Sequence, residues 1–181
     1  MQRFFLAAAL AAGLAMATSE AKAAGPDDTL VLELKDGSVE IELRPDLAPG
    51  HVARVKELVR EGYYDGKKWH RVIDGFMAQT GSPKGDGIGG TGKPLKAEFS
   101  KEKHVRGIVS AARTSDPHSA DAQFFIVLDA APHLDGQYTV WGKVVKGMEA
   151  VDKIKKGDRN RNGIVADPDS IVRLRVKADI K

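Results

Sequence analysis

The sequence predicts a mainly β domain, a closed antiparallel barrel or a sandwich, carrying two helices. Three observations predict it: many short alternating segments, two isolated helical stripes, and no β-α-β rhythm that would demand parallel pairing. Periodicity alone does not choose between barrel and sandwich.

Residues 29–35 alternate, with Leu30, Leu32 and Leu34 on one face. Residues 38–44 repeat the pattern with Val39, Ile41 and Leu43, and Asp36-Gly37 between them predicts a two-residue hairpin turn. Pro49 stands where a helix can start, because its fixed φ suits the first turn and its missing N–H is not needed there. Val52, Val55, Leu58 and Val59 then form one apolar stripe, and Gly62 is placed to end it. Short strand-like runs follow at residues 69–73, 76–80, 107–112, 123–128 and 138–145. Met148, Val151 and Ile154 mark a second helix. A last strand near residues 171–178 alternates Val172, Leu174 and Val176 with Arg173, Arg175 and Lys177. Trp141 fits a core position.

The first 23 residues stand apart from this pattern. Met1-Gln2-Arg3 is basic, residues 4–17 are an apolar run short for a bilayer, and Ala21-Lys22-Ala23 offers small residues at a cleavage point. That order predicts a signal peptide over 1–23 and a mature domain over 24–181, periplasmic or secreted. Removing 23 of the 181 residues leaves 158, enough for one domain with its own core. It also removes Arg3, Lys22 and Glu20, so the net charge falls from +3 to +2. No later stretch is long and apolar enough to span a membrane, so no membrane association is expected of the mature chain. The Lys and Arg residues are scattered, which gives no reason to expect nucleic acid as a partner. The chain has no cysteine, so an exported domain would rest on its apolar core and not on disulfides.

Several motifs are misleading. Gly85-Asp86-Gly87-Ile88-Gly89-Gly90 matches G-x-G-x-x-G literally, but no helical stripe follows to hold a pyrophosphate at its N-terminus. Residues 87–93 resemble the start of a P-loop, yet Pro94 stands where a hydroxyl must reach magnesium. Residues 158–163 resemble half of an EF-hand loop with Asp169 at the twelfth position. Two arginines inside the loop, Pro168 beside the last ligand and a strand where a helix is required favour a polar connection. The five histidines (His51, His70, His104, His118 and His133) show no helical metal spacing. No G-x-S-x-G elbow is present and no serine has an obvious His and Asp arrangement, so nucleophilic catalysis has no support. No metal and no cofactor are expected.

Two longer segments carry more information. One is Trp69-His70-Arg71-Val72-Ile73-Asp74-Gly75-Phe76-Met77-Ala78-Gln79-Thr80-Gly81. The other runs from Gly107-Ile108-Val109-Ser110-Ala111-Ala112-Arg113-Thr114 through Ala122-Gln123-Phe124-Phe125-Ile126 to His133-Leu134-Asp135-Gly136. In order and spacing they resemble the cyclophilin family of peptidyl-prolyl cis-trans isomerases, bacterial exported members included, across essentially the whole mature chain.

The resemblance implies a closed eight-stranded antiparallel β-barrel capped by two α-helices, with a substrate groove on its outside. It implies isomerisation of X-Pro bonds in proline-containing polypeptides, by a monomer. By the same resemblance Arg71 is the catalytic arginine, Phe76, Met77, Phe125 and Leu134 take the proline ring, and Gln79 orients the substrate. Ala112, Arg113 and Gln123 line the groove, with His133 and Tyr138 beside it. Alternation adds one independent point, since Arg71, Ile73, Met77 and Gln79 all lie at odd positions on adjoining strands and can share a face. Two departures are visible: His133 stands where cyclosporin-sensitive members carry Trp, and Tyr138 where many carry His. Arg113 replaces the Asn of many eukaryotic members. Weak sensitivity to cyclosporin is therefore expected, with isomerase activity retained. The rival readings are a chaperone-like module that grips proline segments without turnover, and a hollow lipocalin-type barrel.

Overall fold

The computed structural model describes residues 24–181; the expected signal peptide lies outside the described residues. Eight strands form one antiparallel sheet: β1 (Thr29–Leu34), β2 (Gly37–Leu43), β3 (Arg71–Ile73), β4 (Met77–Thr80), β5 (Ile108–Ala111), β6 (Phe124–Val127), β7 (Val140–Lys146) and β8 (Arg173–Val176). The spatial order is β3-β4-β6-β5-β7-β2-β1-β8. Helix α1 (Pro49–Arg60) packs against β8, and α2 (Met148–Asp152) against β2.

The first hairpin keeps the expected faces but shifts its turn. Leu34 pairs with Gly37, so Lys35 and Asp36 form the connection and Gly37 opens β2 at φ 147°. Leu30, Leu32, Val39 and Ile41 are all fully buried. Pro49 opens α1, and Gly62, at φ 70°, follows its last turn as a left-handed stop. The last strand departs from its expected alternation. Leu174 and Val176 are buried, but Val172 lies before β8 with 57% of its surface exposed.

The expected closure into a barrel is corrected. Among the described residues no ladder joins β3 to β8, and the sheet is a curled half-barrel with those two strands at its edges. The reason is visible at the β3 edge, which a loop occupies. Val72 N–H donates to Gly163 O at 2.8 Å, Gly157 N–H to Val72 O at 2.8 Å, and Val165 N–H to His70 O at 3.1 Å. Only the segments leading into the edge strands meet, where Trp69 N–H donates to Asp169 O and Ile171 N–H to Lys67 O. Register shifts between Glu40 and Ile41 and between Val109 and Ser110 supply the bends that curl the sheet.

Alternation sorts two apolar clusters onto opposite faces. Val72, Ala78, Phe124 and Ile126 join Leu30, Leu32, Ile41 and Trp141 in the larger core, together with Val55, Leu58 and Val59 of α1. This interior is filled by side chains, which removes the hollow-barrel reading. The intervening Met77, Phe125 and Val127 form a second cluster on the outer face with Ile108, Ala131, Leu134 and Val140. Ile73, Phe76, Ala112 and Tyr138 pack around it half-buried. The candidate site stands on that second cluster.

Candidate active site

Antiparallel register builds the site. Arg71 on β3 is the cross-strand partner of Gln79 on β4, Ile73 pairs with Met77, and Gln79 pairs in turn with Phe125 on β6. Directly opposed side chains share a face, so the odd positions of β3 and β4 do lie together. The tight β3–β4 turn needs Gly75 in the left-handed region, at φ 70°.

Arg71, Met77, Gln79, Ala112, Arg113, Phe125, Leu134 and Tyr138 line one cavity of about 80 Å³. Met77, Phe125 and Leu134 are buried and give it an apolar floor. Beside it Phe76 packs on the same cluster, and the exposed His133 ring lies against Phe76 with centroids 5.2 Å apart. Gln123 lines a neighbouring cavity of about 260 Å³ that shares Gln79, Ala112 and Arg113 and extends to Gly87, Gly89 and Asp121. The two cavities thus join along Gln79, Ala112 and Arg113 into one groove. A larger depression beside α1, lined by Pro45, Val52 and Lys56, contains none of these residues.

Polar side chains hold the groove in a relay. Arg71 Nη1 donates to Gln79 Oε1 at 3.2 Å, and Gln79 Nε2 donates to Gln123 Oε1 at 3.0 Å. Gln123 Nε2 ends the relay on the carbonyls of Gly87, at 3.0 Å, and Gly89, at 2.8 Å, which ties down the glycine-rich loop. That loop is a surface connection with Ile88 74% exposed, and no helix follows it. Arg113 donates to the Gln137 and Thr114 carbonyls and lies over the Tyr138 ring at 4.5 Å, forming one wall.

Burial lowers the Arg71 guanidinium from its usual value, an effect partly offset by Tyr138. An arginine stays charged through such a shift. Of its five N–H donors three are engaged: Nε with Asn162 O at 3.0 Å, Nη2 with Asn162 Oδ1 at 2.9 Å, and Nη1 with Gln79. Among the described residues the remaining two N–H groups have no acceptor, which leaves them for a ligand in the cavity that Arg71 lines.

Sequence reasoning missed two features. Asn162 was visible only as part of a cation-loop pattern. In the structure its amide oxygen holds Arg71, Asp158 caps a short turn through Asn160 N–H, and Asp169 accepts from Lys35 and from Lys155 N–H. The Asn-Gly pair at 162–163 was the available signal, because it marks a left-handed bend. The second miss is a Ser-His-Asp row. His104 Nδ1 lies 3.3 Å from Asp135 Oδ1, and His104 Nε2 lies 3.0 Å from Ser110 Oγ. Ser110 and His104 are buried, at 0% and 2% exposure, so no substrate reaches that hydroxyl. The row is a scaffold beneath the groove, with the His104 ring stacked on Phe125 at 6.3 Å.

The sequence matches the family model for cyclophilin type peptidyl-prolyl cis-trans isomerase/CLD over residues 29–176. It is 54% identical over 194 aligned residues to a probable peptidyl-prolyl cis-trans isomerase of Brucella suis biovar 1, covering 98% of this chain and 99% of that one. Among solved structures it is similar to the cyclophilin AquaCyp293 of Hirschia baltica (TM-score 0.77, 28% identity), over 87% of this chain and 77% of the other. It is also similar to a Cryptosporidium parvum cyclophilin type peptidyl-prolyl cis-trans isomerase solved in the presence of the dipeptide Ala-Pro (TM-score 0.74, 28% identity), over 82% and 98% of the two chains. A family match across the whole sheet, with a relative 54% identical over nearly the full chain, leaves one assignment: this chain belongs to the cyclophilin-type peptidyl-prolyl cis-trans isomerases.

Proposed function

We propose that Arg71 is the catalytic residue of this isomerase, and that the enzyme acts as an exported monomer, periplasmic or secreted, on proline-containing polypeptides. The observation that carries the catalytic role is a guanidinium fixed by three hydrogen bonds at the edge of a cavity with an apolar floor, with two donors left over among the described residues.

The X-Pro bond resists rotation because the nitrogen lone pair is delocalised into the carbonyl, giving a barrier of about 18–20 kcal/mol. Twisting localises that pair on the prolyl nitrogen, which then becomes a hydrogen-bond acceptor. A donor fixed where the pair develops binds the twisted state better than either planar state, and that difference is what lowers the barrier. Met77, Phe125 and Leu134 hold the ring while the preceding segment turns. Gln79 orients the substrate backbone, Phe76 and His133 extend the ring pocket, and Ala112, Arg113, Gln123 and Tyr138 contact the chain along the groove. No bond is broken, so the reaction needs no nucleophile.

Export is supported by the basic, apolar, small-residue order of residues 1–23. Among the described residues no helix is long and apolar enough to cross a membrane. Turnover of a proline peptide by the chain beginning at Ala24, with and without Arg71→Ala, tests the catalytic role, and mass spectrometry of protein from its native host tests export. An N-terminus near Ala24 supports export, and intact Met1 on cytoplasmic material overturns it.

A further inference from the structure

We propose that Asn162 is a positioning residue that fixes the Arg71 guanidinium, an inference that rests on the catalytic role given to Arg71 above. Nε–H and Nη2–H are the two parallel donors along one edge of an arginine fork. Both are taken by Asn162, one by its backbone carbonyl at 3.0 Å and the other by its side-chain Oδ1 at 2.9 Å. One residue presents both acceptors on one side because it sits in the left-handed region, at φ 54° and ψ 33°. Asparagine tolerates that conformation better than most residues with a Cβ.

The loop that carries Asn162 is anchored. Three backbone hydrogen bonds tie residues 157–165 to the β3 edge, one residue on either side of Arg71. Arg161 and Gly163 N–H both donate to Asp158 O, and Arg159 Nη2 donates to Asp74 O at 2.7 Å. A Cβ on Gly163 would collide with Ile73, so the loop lies close against β3 there. The acceptors therefore stand at a fixed distance from β3. With that edge clamped, the guanidinium can turn its remaining N–H groups only towards the groove, where Gln79 restrains Nη1.

The bland alternative is that Asn162 serves only the bend. Glycine separates the two readings, because it adopts a left-handed conformation more readily than asparagine and keeps the backbone carbonyl. If conformation were all that mattered, Asn162→Gly would be neutral. With Oδ1 removed, one hydrogen bond of the clamp is lost and the fork can swing.

The experiment is a kinetic cycle on a proline peptide, with wild type, Asn162→Gly, Asn162→Asp, Arg71→Lys, Arg71→Ala and the double variant Asn162→Gly/Arg71→Lys. Asn162→Gly should lower kcat about tenfold, the range found when a partner that orients a functional group is removed. Peptide affinity, measured separately by calorimetry, should stay within about twofold, since the clamp does not touch the ring pocket. Asn162→Asp keeps an acceptor and the left-handed conformation and should restore most of the rate. In the double variant the two losses should not multiply, because lysine has no fork for Asn162 to hold. A near wild-type kcat for Asn162→Gly, alongside an inactive Arg71→Ala, overturns the positioning role alone. So do losses that multiply in the double variant, or an Asn162→Asp no faster than Asn162→Gly. An active Arg71→Ala removes the catalytic reading itself, and the inference with it.

Discussion

Arg71 and Gln79 are direct cross-strand partners, and their side chains meet at 3.2 Å between Nη1 and Oε1. That one pairing shows how the fold makes the site. Residues eight apart in sequence are opposed by a tight turn, and period-2 alternation turns both onto the outer face. The intervening Val72 and Ala78, at 0% exposure, hold the same two strands on the core.

The ring pocket is expected to bind, and not to turn over by itself. Phe125 is 4% exposed and forms its floor. Phe125→Ala removes apolar area worth on the order of 1.5 kcal/mol or more to a bound ring, so peptide affinity should fall at least about tenfold. The fold should lose about 3–5 kcal/mol, as truncation of a buried aromatic does. Calorimetric titration and a denaturation curve check the two together; unchanged affinity in a folded variant would remove Phe125 from the pocket.

His133 should set the response to cyclosporin. Its ring is exposed and lies against Phe76, and it offers less apolar area than an indole to an apolar macrocycle. His133→Trp is expected to tighten inhibition roughly tenfold, equivalent to about 1.4 kcal/mol. Inhibition titrations on both proteins decide it, and equal inhibition would show that this position does not contact the drug.

Much of this was legible from alternation and turn chemistry. Leu30, Leu32, Val39 and Ile41 declared a half-buried hairpin, and Pro49 and Gly62 bracketed α1. The shared face of Arg71, Ile73, Met77 and Gln79 follows from parity alone. Parity failed where tertiary contacts decide. Gly37 moved from the turn into β2, and Val172 is exposed because the chain reaches its strand only at Arg173. The open edge at β3 and the clamp by Asn162 depend on a loop 91 residues away from Arg71, a distance that no local pattern spans. His104 and Ser110 are six residues apart, but Asp135 joins them only through folding.

Acid should destabilise the fold through two buried imidazoles. Burial lowers the pKa of His70 and of His104 from the usual 6.5, in His104 against the opposing pull of Asp135. A folded-state value below the unfolded one means that the unfolded chain binds protons first as pH falls. The stability these groups contribute is therefore complete above about pH 6.5 and is lost as pH drops from there towards their folded values. Among the described residues both ring nitrogens of His70 lack a geometrically sound hydrogen-bond partner, and burial outweighs the pull of the Lys68 backbone and Asp86 on a charge there. Denaturation midpoints at about pH 7.5 and 5.5 should show the loss, and His70→Leu should reduce it. An identical drop in the variant would acquit His70.

The central claim, that Arg71 supplies the hydrogen bond of the twisted state, is tested most directly by Arg71→Ala. Turnover on a proline peptide, peptide affinity and circular dichroism are measured on the same preparation. Asn162 and Gln79 can turn to water when their partner is removed, so stability should change by no more than about 1 kcal/mol. The lost interaction exists mainly in the transition state, so kcat should fall about 10²–10³-fold, as for an oxyanion-hole donor, while affinity holds. A folded variant that binds peptide and isomerises at near wild-type rate would contradict the account.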